Sequence, residues 1–146
     1  NGFVMDYTKW MSGHRLQIKG NTTWWELKKQ PSNTYNDFLD YLDQVFTFAG
    51  TLSLSKSLKS RPINEMQIGD VFIQGGSPGH AVIVVDMAKN AKGEKMFILA
   101  QSYMPAQETQ ILKNPNDSNS SPWYTLPTST LETPEWNFNA TDLKTW

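Results

Sequence analysis

The run His80-Ala81-Val82-Ile83-Val84-Val85-Asp86 constrains this chain more than any other stretch. Five consecutive apolar residues, four of them β-branched, are too short for an independent helix and suit a central strand covered on both faces. Its flanks have the same period. Gln67-Ile68-Gly69-Asp70 reads as a turn feeding a strand at Val71-Phe72-Ile73, and Gly75-Gly76-Ser77-Pro78-Gly79 as a loop that lets the backbone approach closely. Asn90-Ala91-Lys92-Gly93-Glu94 then reverses the chain into a partner strand from Met96 to Ser102. Three strands of this kind predict an antiparallel meander.

Upstream the period changes. Phe38, Leu39, Leu42, Val45, Phe46 and Ala49 recur at helical spacing after Pro31-Ser32-Asn33-Thr34. Thr34 followed by Asp37 resembles a capping box, and Gly50 offers a left-handed stop. A stripe of this width requires cover, so the sequence predicts an α+β domain with the meander packed on this helix. Leu52, Leu54 and Leu58 suggest a second helical turn or an extended leader. Near the start, Tyr7–Met11 fits a short helix closed by Gly13, and Arg15–Lys19 a half-buried strand before the turn Lys19-Gly20-Asn21. Beyond Pro105 prolines break the pattern, and Thr133–Phe138 suits an edge strand. With 146 residues, no repeat and no boundary, a single domain is expected over 1–146.

Composition removes several functions. The chain has no cysteine, so it contains no disulfide, no thiolate metal site and no thiolate nucleophile. A net charge of -1 with scattered Lys and Arg argues against nucleic acid as a partner. No apolar run reaches the roughly 18 residues that would predict a transmembrane segment. Charged residues make up 18%, against about 25% in ordinary domains, with Asn, Ser and Thr in their place. That surface suits an extracytoplasmic protein of the periplasm or cell surface. Glycosylation-type triplets at Asn21, Asn116, Asn119 and Asn139 matter only in a secretory eukaryotic host.

His80 is the residue best placed for chemistry. It opens a buried strand directly after a Gly-rich loop, at the sheet rim, where a general base is commonly held. The plainer reading is a half-buried histidine that caps the loop. If even positions of its strand face odd positions of the next, Gln101 shares its sheet face and can orient the ring; in the other register Ser102 faces it. A triad of Ser77 or Ser102, His80 and Asp70 or Asp86 lacks a nucleophile elbow. His14 and His80 are the only histidines, and with no HExxH or Asp-rich loop neither metal nor cofactor is expected. Trp10, Trp24, Trp25, Tyr103, Trp123 and Trp136 fit either core packing or a platform for sugars and peptides.

Longer phrases carry a resemblance. Asn1-Gly2-Phe3, Tyr7-Thr8-Lys9-Trp10, Ala49–Leu54, Ile68–Ile73, Gly75–Val82, Ala100–Gln107, Ser121–Tyr124 and Thr133–Trp136 resemble an uncharacterised, exported, Bacteroidetes-type family known as a domain of unknown function. The resemblance implies that this chain is the C-terminal part of a longer protein, with an upstream segment as its partner. A Gly-Asp strand, a Gly-His strand start and a strand ending in a polar residue are also similar to the NlpC-like and CHAP-like, papain-fold cell-wall peptidases. That likeness implies a papain-like core and a thiol-hydrolase site on cell-wall peptide, with His80 as base, Gln101 as orienter, and Asp70 and Gly79 shaping the site. The thiol itself is missing from these residues, so the alternative is a non-catalytic module binding envelope peptide or glycan, with Tyr103 and Trp123 lining its groove. Under either reading His80 and Gln101 belong within hydrogen-bond reach, and catalysis further requires an open cleft beside them.

Overall fold

A computed structural model describes residues 2–105 and 107–146. Asn1 and Ala106, which fall within two of the phrases quoted above, lie outside the described residues. The chain begins with α1 (Tyr7–Met11), whose first turn is capped by Asp6 accepting from the Thr8 amide at 2.7 Å. Gly13, at φ +93°, then turns the chain; a Cβ there would meet the Lys29 carbonyl at 2.1 Å. A hairpin follows, β1 (His14–Lys19) against β2 (Thr22–Leu27). Its turn contains Gly20 at φ +58°, a left-handed conformation open to glycine at little cost.

The expected helix is α2 (Tyr35–Phe48), and Thr34 caps it by accepting from the Asp37 amide at 3.3 Å. Gly50 does not end it in the left-handed region. The cap is Ala49 in extended backbone, and Gly50 (φ -134°) starts α3 (Thr51–Ser57) instead.

The sheet is built from β3 (Lys59–Ser60), β4 (Val71–Gln74), β5 (His80–Lys89), β6 (Lys95–Gln101), β7 (Gln110–Ile111), β8 (Tyr124–Thr125), a pair formed by β9 (Thr130–Glu132) and β10 (Asn137–Asn139), and β11 (Leu143–Thr145). The seven-stranded sheet runs β3-β11-β4-β5-β6-β7, with β8 also paired to β6, and its pairings are antiparallel. β9 and β10 make a separate two-stranded ribbon. Of the predicted edge strand at 133–138, residues 133–136 form the turn between these two strands, while Asn137 and Phe138 belong to β10. Pro134 sits in that turn, where its missing N–H costs no ladder bond.

Side chains alternate across the sheet. Phe72, Val82, Val84, Phe97 and Leu99 project from one face into the main core with Leu112, Tyr124, Leu131, Phe138 and Leu143. Val71 and Ile73 project from the other face onto Leu54 and Leu58 of the α3 region, together with Ala81. A bulge between Val84 and Asp86 resets the parity of β5, so Met87 regains the main-core face opposite Phe97. Each large side chain fully buried here contributes roughly 1.5–3 kcal/mol.

Two sequence expectations are corrected. The predicted papain-like, NlpC-like core, a meander packed on the long helix, is not what the chain forms. The protein is mostly antiparallel sheet, with strand residues outnumbering helical ones. The ring contacts of α2 are with the N-terminal segment: Tyr7 meets Phe38 and Tyr41, and Trp10 meets Tyr41. Its polar ties agree, with the Trp10 indole donating to the Asp37 carbonyl at 3.0 Å and the Tyr41 hydroxyl to the Met5 carbonyl at 2.7 Å. The stripe was real, but Phe38 takes the cover and Phe46 stays exposed. Helical periodicity reports that a face is apolar and says nothing of which surface will cover it.

The second correction concerns β5, which is not covered along both faces. Seven-residue α3 is only about 10 Å long and covers Ala81, while Ile83 is 37% exposed.

Candidate functional site

Register brings His80 and Gln101 together. Val84 pairs with Leu99 and Ile83 with Ala100, so even residues of β5 face odd residues of β6. His80 and Gln101 then project from the main-core face as diagonal neighbours. The His80 Nε2 lies 2.6 Å from the Gln101 Oε1, and both residues are buried, His80 at 8% exposure. The other Gln101 group, Nε2, donates to the Glu135 Oε2 at 2.8 Å.

Three aromatic rings wall the imidazole. Tyr103 approaches edge-on at 5.2 Å between centroids, Trp136 is tilted at 5.6 Å, and Phe138 is stacked at 6.0 Å. Trp136 is itself held by a second amide. Its indole N–H donates to the Gln74 Oε1 at 2.9 Å, and Gln74 Nε2 donates to the Asp142 Oδ2 at 2.7 Å and the Asn137 carbonyl at 3.2 Å. Gln74 is also the strand partner of His80. Two glutamines, each tied to a carboxylate, thus position the histidine and its tryptophan wall.

The turn between β9 and β10 delivers Glu135 and Trp136. Thr133 is buried, and its hydroxyl donates to the Trp136 carbonyl at 2.6 Å while accepting from the Trp136 amide at 3.2 Å. A threonine whose hydroxyl bonds both backbone groups of the residue three further on, with its own amide donating to the same carbonyl at 2.9 Å, fixes the shape of the turn.

The remaining predicted residues divide. Gly79 directly precedes His80 and lies against the start of α3; a Cβ there would meet the Thr51 Oγ1 at 2.4 Å, the Gly76 amide at 2.7 Å and the Gln74 carbonyl at 2.8 Å. Tyr103 is brought to His80. Trp123 is not among its ring partners; the Trp123 carbonyl accepts from Asn114 and Ser120. Asp70 is buried and engaged by other partners, accepting from the Gln67 amide at 2.8 Å and pairing with Arg61 at 3.1 Å. Asp86 accepts from the Met87 amide, and Ser77 and Ser102 are exposed without a bond to His80 among the described residues.

Helix α3 and the His80 side chain occupy opposite faces of the sheet, since Ala81 meets α3 and His80 meets Phe138. The peptidase likeness would put a nucleophile at the start of the helix beginning near Thr34, which is α2; there the Ser32 and Thr34 hydroxyls lie 3.4 Å apart and Thr34 caps the helix, and neither bonds His80 among the described residues. Two surface concavities, one beside Trp10 and Arg15 and one beside Asn114 and Tyr124, are lined by neither His80 nor Gln101. Among the described residues no group of three or more His, Asp or Glu side chains is gathered for a metal, and no helix is long and apolar enough to cross a membrane.

Sequence reasoning missed Glu135, Gln74 and Thr133. Glu135 is 34 residues beyond Gln101, in a proline-broken stretch without periodicity. The one available cue was Thr133-Pro134-Glu135-Trp136, whose Thr-Pro start marks a turn with a side-chain staple. No curated protein and no solved structure matches the chain. The family comparison is positive over nearly its full length: a family model described as a domain of unknown function, DUF4846, matches residues 1–145, and the chain belongs to that family.

Proposed function

We propose that this chain is a non-catalytic module that binds a peptide or glycan of the cell envelope, in an extracytoplasmic setting, at the rim formed by His80, Tyr103 and Trp136. The observation that carries it is the aromatic wall around a hydrogen-bonded imidazole, held by Gln101 and Gln74. Aromatic faces pack against sugar C–H groups and peptide side chains, and an adjacent polar nitrogen fixes orientation. The Asn/Ser/Thr-rich surface agrees with an envelope location.

Soluble muropeptide added to the labelled protein should shift the amide resonances of 79–81 and 101–103 and change Trp136 emission. His80→Ala and Trp136→Phe should each weaken that binding severalfold. Saturating muropeptide with no change at these residues would refute the reading.

A second reading makes His80 the base of a hydrolase whose thiol comes from outside residues 1–146. The bond from Nε2 to Gln101 favours it, because a base needs one imidazole nitrogen held and the other available. Thiol-sensitive cleavage of muropeptide by the full-length protein, abolished by His80→Ala, would select this reading over the first.

A further inference from the structure

We propose that Glu135 is the residue that decides which nitrogen of His80 meets a ligand, acting through Gln101 and making the site selective for hydrogen-bond donors. The inference rests on the reading of the His80 rim as a binding site.

A carboxylate only accepts hydrogen bonds. With Glu135 Oε2 at 2.8 Å, Gln101 must turn its NH2 group toward Glu135 and its carbonyl toward the ring. A carbonyl also only accepts, so His80 Nε2 carries the proton. The neutral ring is thereby fixed as the Nε2–H tautomer, with the lone pair on Nδ1. That atom has no hydrogen-bond partner among the described residues, and it is not one of the fully enclosed side-chain atoms left without a hydrogen bond. Nδ1 thus stands as the free acceptor of a ring walled by Tyr103 and Trp136. The group that fits it is a donor, such as a peptide N–H, a sugar hydroxyl or an ammonium. A carboxylate or carbonyl oxygen facing Nδ1 would be repelled.

Glu135 is exposed and touches His80 only through Gln101, so its substitution reads the relay without emptying the aromatic wall. Long-range proton–nitrogen correlation in labelled protein reports which imidazole nitrogen is protonated. It is to be recorded without ligand at a pH where the ring is neutral, with His80 assigned by loss of its signals in His80→Gln. The wild type should show Nε2–H, and Glu135→Gln should keep it, because the new amide oxygen still accepts. Glu135→Lys reverses the polarity: a donor at this position draws the Gln101 carbonyl, turns its NH2 toward the ring, and should shift His80 to Nδ1–H. Glu135→Leu, which neither donates nor accepts, should give a mixture of tautomers and serves if the lysine variant does not fold.

An Nδ1–H wild type, or a folded lysine or leucine variant that retains pure Nε2–H, overturns the assignment. Muropeptide affinity is the separate arm. A loss of about tenfold in the lysine variant, the worth of one hydrogen bond, is expected. Equal affinity would overturn the role of Nδ1 while leaving binding intact. Tautomers that switch as described, with no muropeptide bound by any form, would support the Glu135 relay and refute the ligand reading alone.

Discussion

Arg15 and Asp37 meet at 2.5 Å across 22 residues of sequence, with their side chains only 12% and 10% exposed. The guanidinium carbon also lies 3.9 Å from the Trp10 ring centroid, and Arg15 donates to the carbonyls of Trp10 and His14. One arginine thereby ties α1, the start of β1 and the first turn of α2. The second Asp37 oxygen is enclosed without a partner, so the carboxylate depends on this arginine.

Removing Arg15 should accordingly be severe. Arg15→Ala leaves a buried carboxylate uncompensated and is expected to cost about 3 kcal/mol in urea unfolding. Lys28 and Glu26 form a 3.0 Å pair with side chains 46% and 45% exposed, and Lys28→Ala should change stability by less than about 0.5 kcal/mol. Equal losses in the two variants would contradict the buried-pair account.

The contrast between α2 and β5 shows what was legible in the sequence. The extent of α2 followed from Thr34 and the apolar stripe, because capping and periodicity are local properties. Its docking partner was not legible, since Tyr7 and Trp10 look no different from any other aromatic cover. Strand parity reduced the partner of His80 to Gln101 or Ser102, and the register of β5 against β6 decides for Gln101. Glu135 was not legible, because its approach depends on how β9 and β10 fold back over the sheet edge. That packing is set by Leu131 and Phe138 entering the core, and no local pattern encodes it. The papain-like expectation failed similarly: the strand motif was present, but which surface the long helix α2 covers is not written in the motif.

Tyr124 gives a pH prediction. Burial, with a smaller contribution from the Glu135 charge, pushes its hydroxyl from 10.0 up to about 12. The folded protein holds this proton more tightly than the unfolded chain, so the associated stability is full below pH 10. It is lost as pH rises toward 12. Absorbance of tyrosinate should reveal one residue titrating last, and Tyr124→Phe should remove that step. The variant also loses the bond to the Lys113 carbonyl, at about 1 kcal/mol near neutrality. A tyrosine titration without a late step would show that Tyr124 is better hydrated than its 3% exposure implies.

Gly79 is restricted by space, because a Cβ would meet the Gln74 carbonyl at 2.8 Å and the Gly76 amide at 2.7 Å, both backbone atoms that cannot rotate away. Gly79→Ala should destabilise by about 1–3 kcal/mol. Adding Thr51→Ser, which relieves none of the backbone contacts, should not restore it. Chemical shifts of His80 should move in the same variant, since the loop immediately precedes the ring. Gly50, with nothing near its Cβ and an extended backbone, is the control expected to tolerate alanine.

Gln74 is the second amide of the site, and its removal tests whether the tryptophan wall is held by hydrogen bonds or by packing. Gln74→Leu keeps the side chain's bulk but leaves the Trp136 indole N–H and the Asp142 carboxylate without this partner. Loss of about 1–2 kcal/mol is expected from the stranded polar groups, with Trp136 emission shifting to longer wavelength as its N–H turns toward water. Because the chain has six tryptophans, the shift is to be read as the difference between Gln74→Leu with and without Trp136→Phe. The His80–Gln101 bond does not pass through Gln74, so the tautomer of His80 should stay Nε2–H in this variant. A tautomer change without an emission shift would mean that Gln74 acts on the histidine and not on its wall.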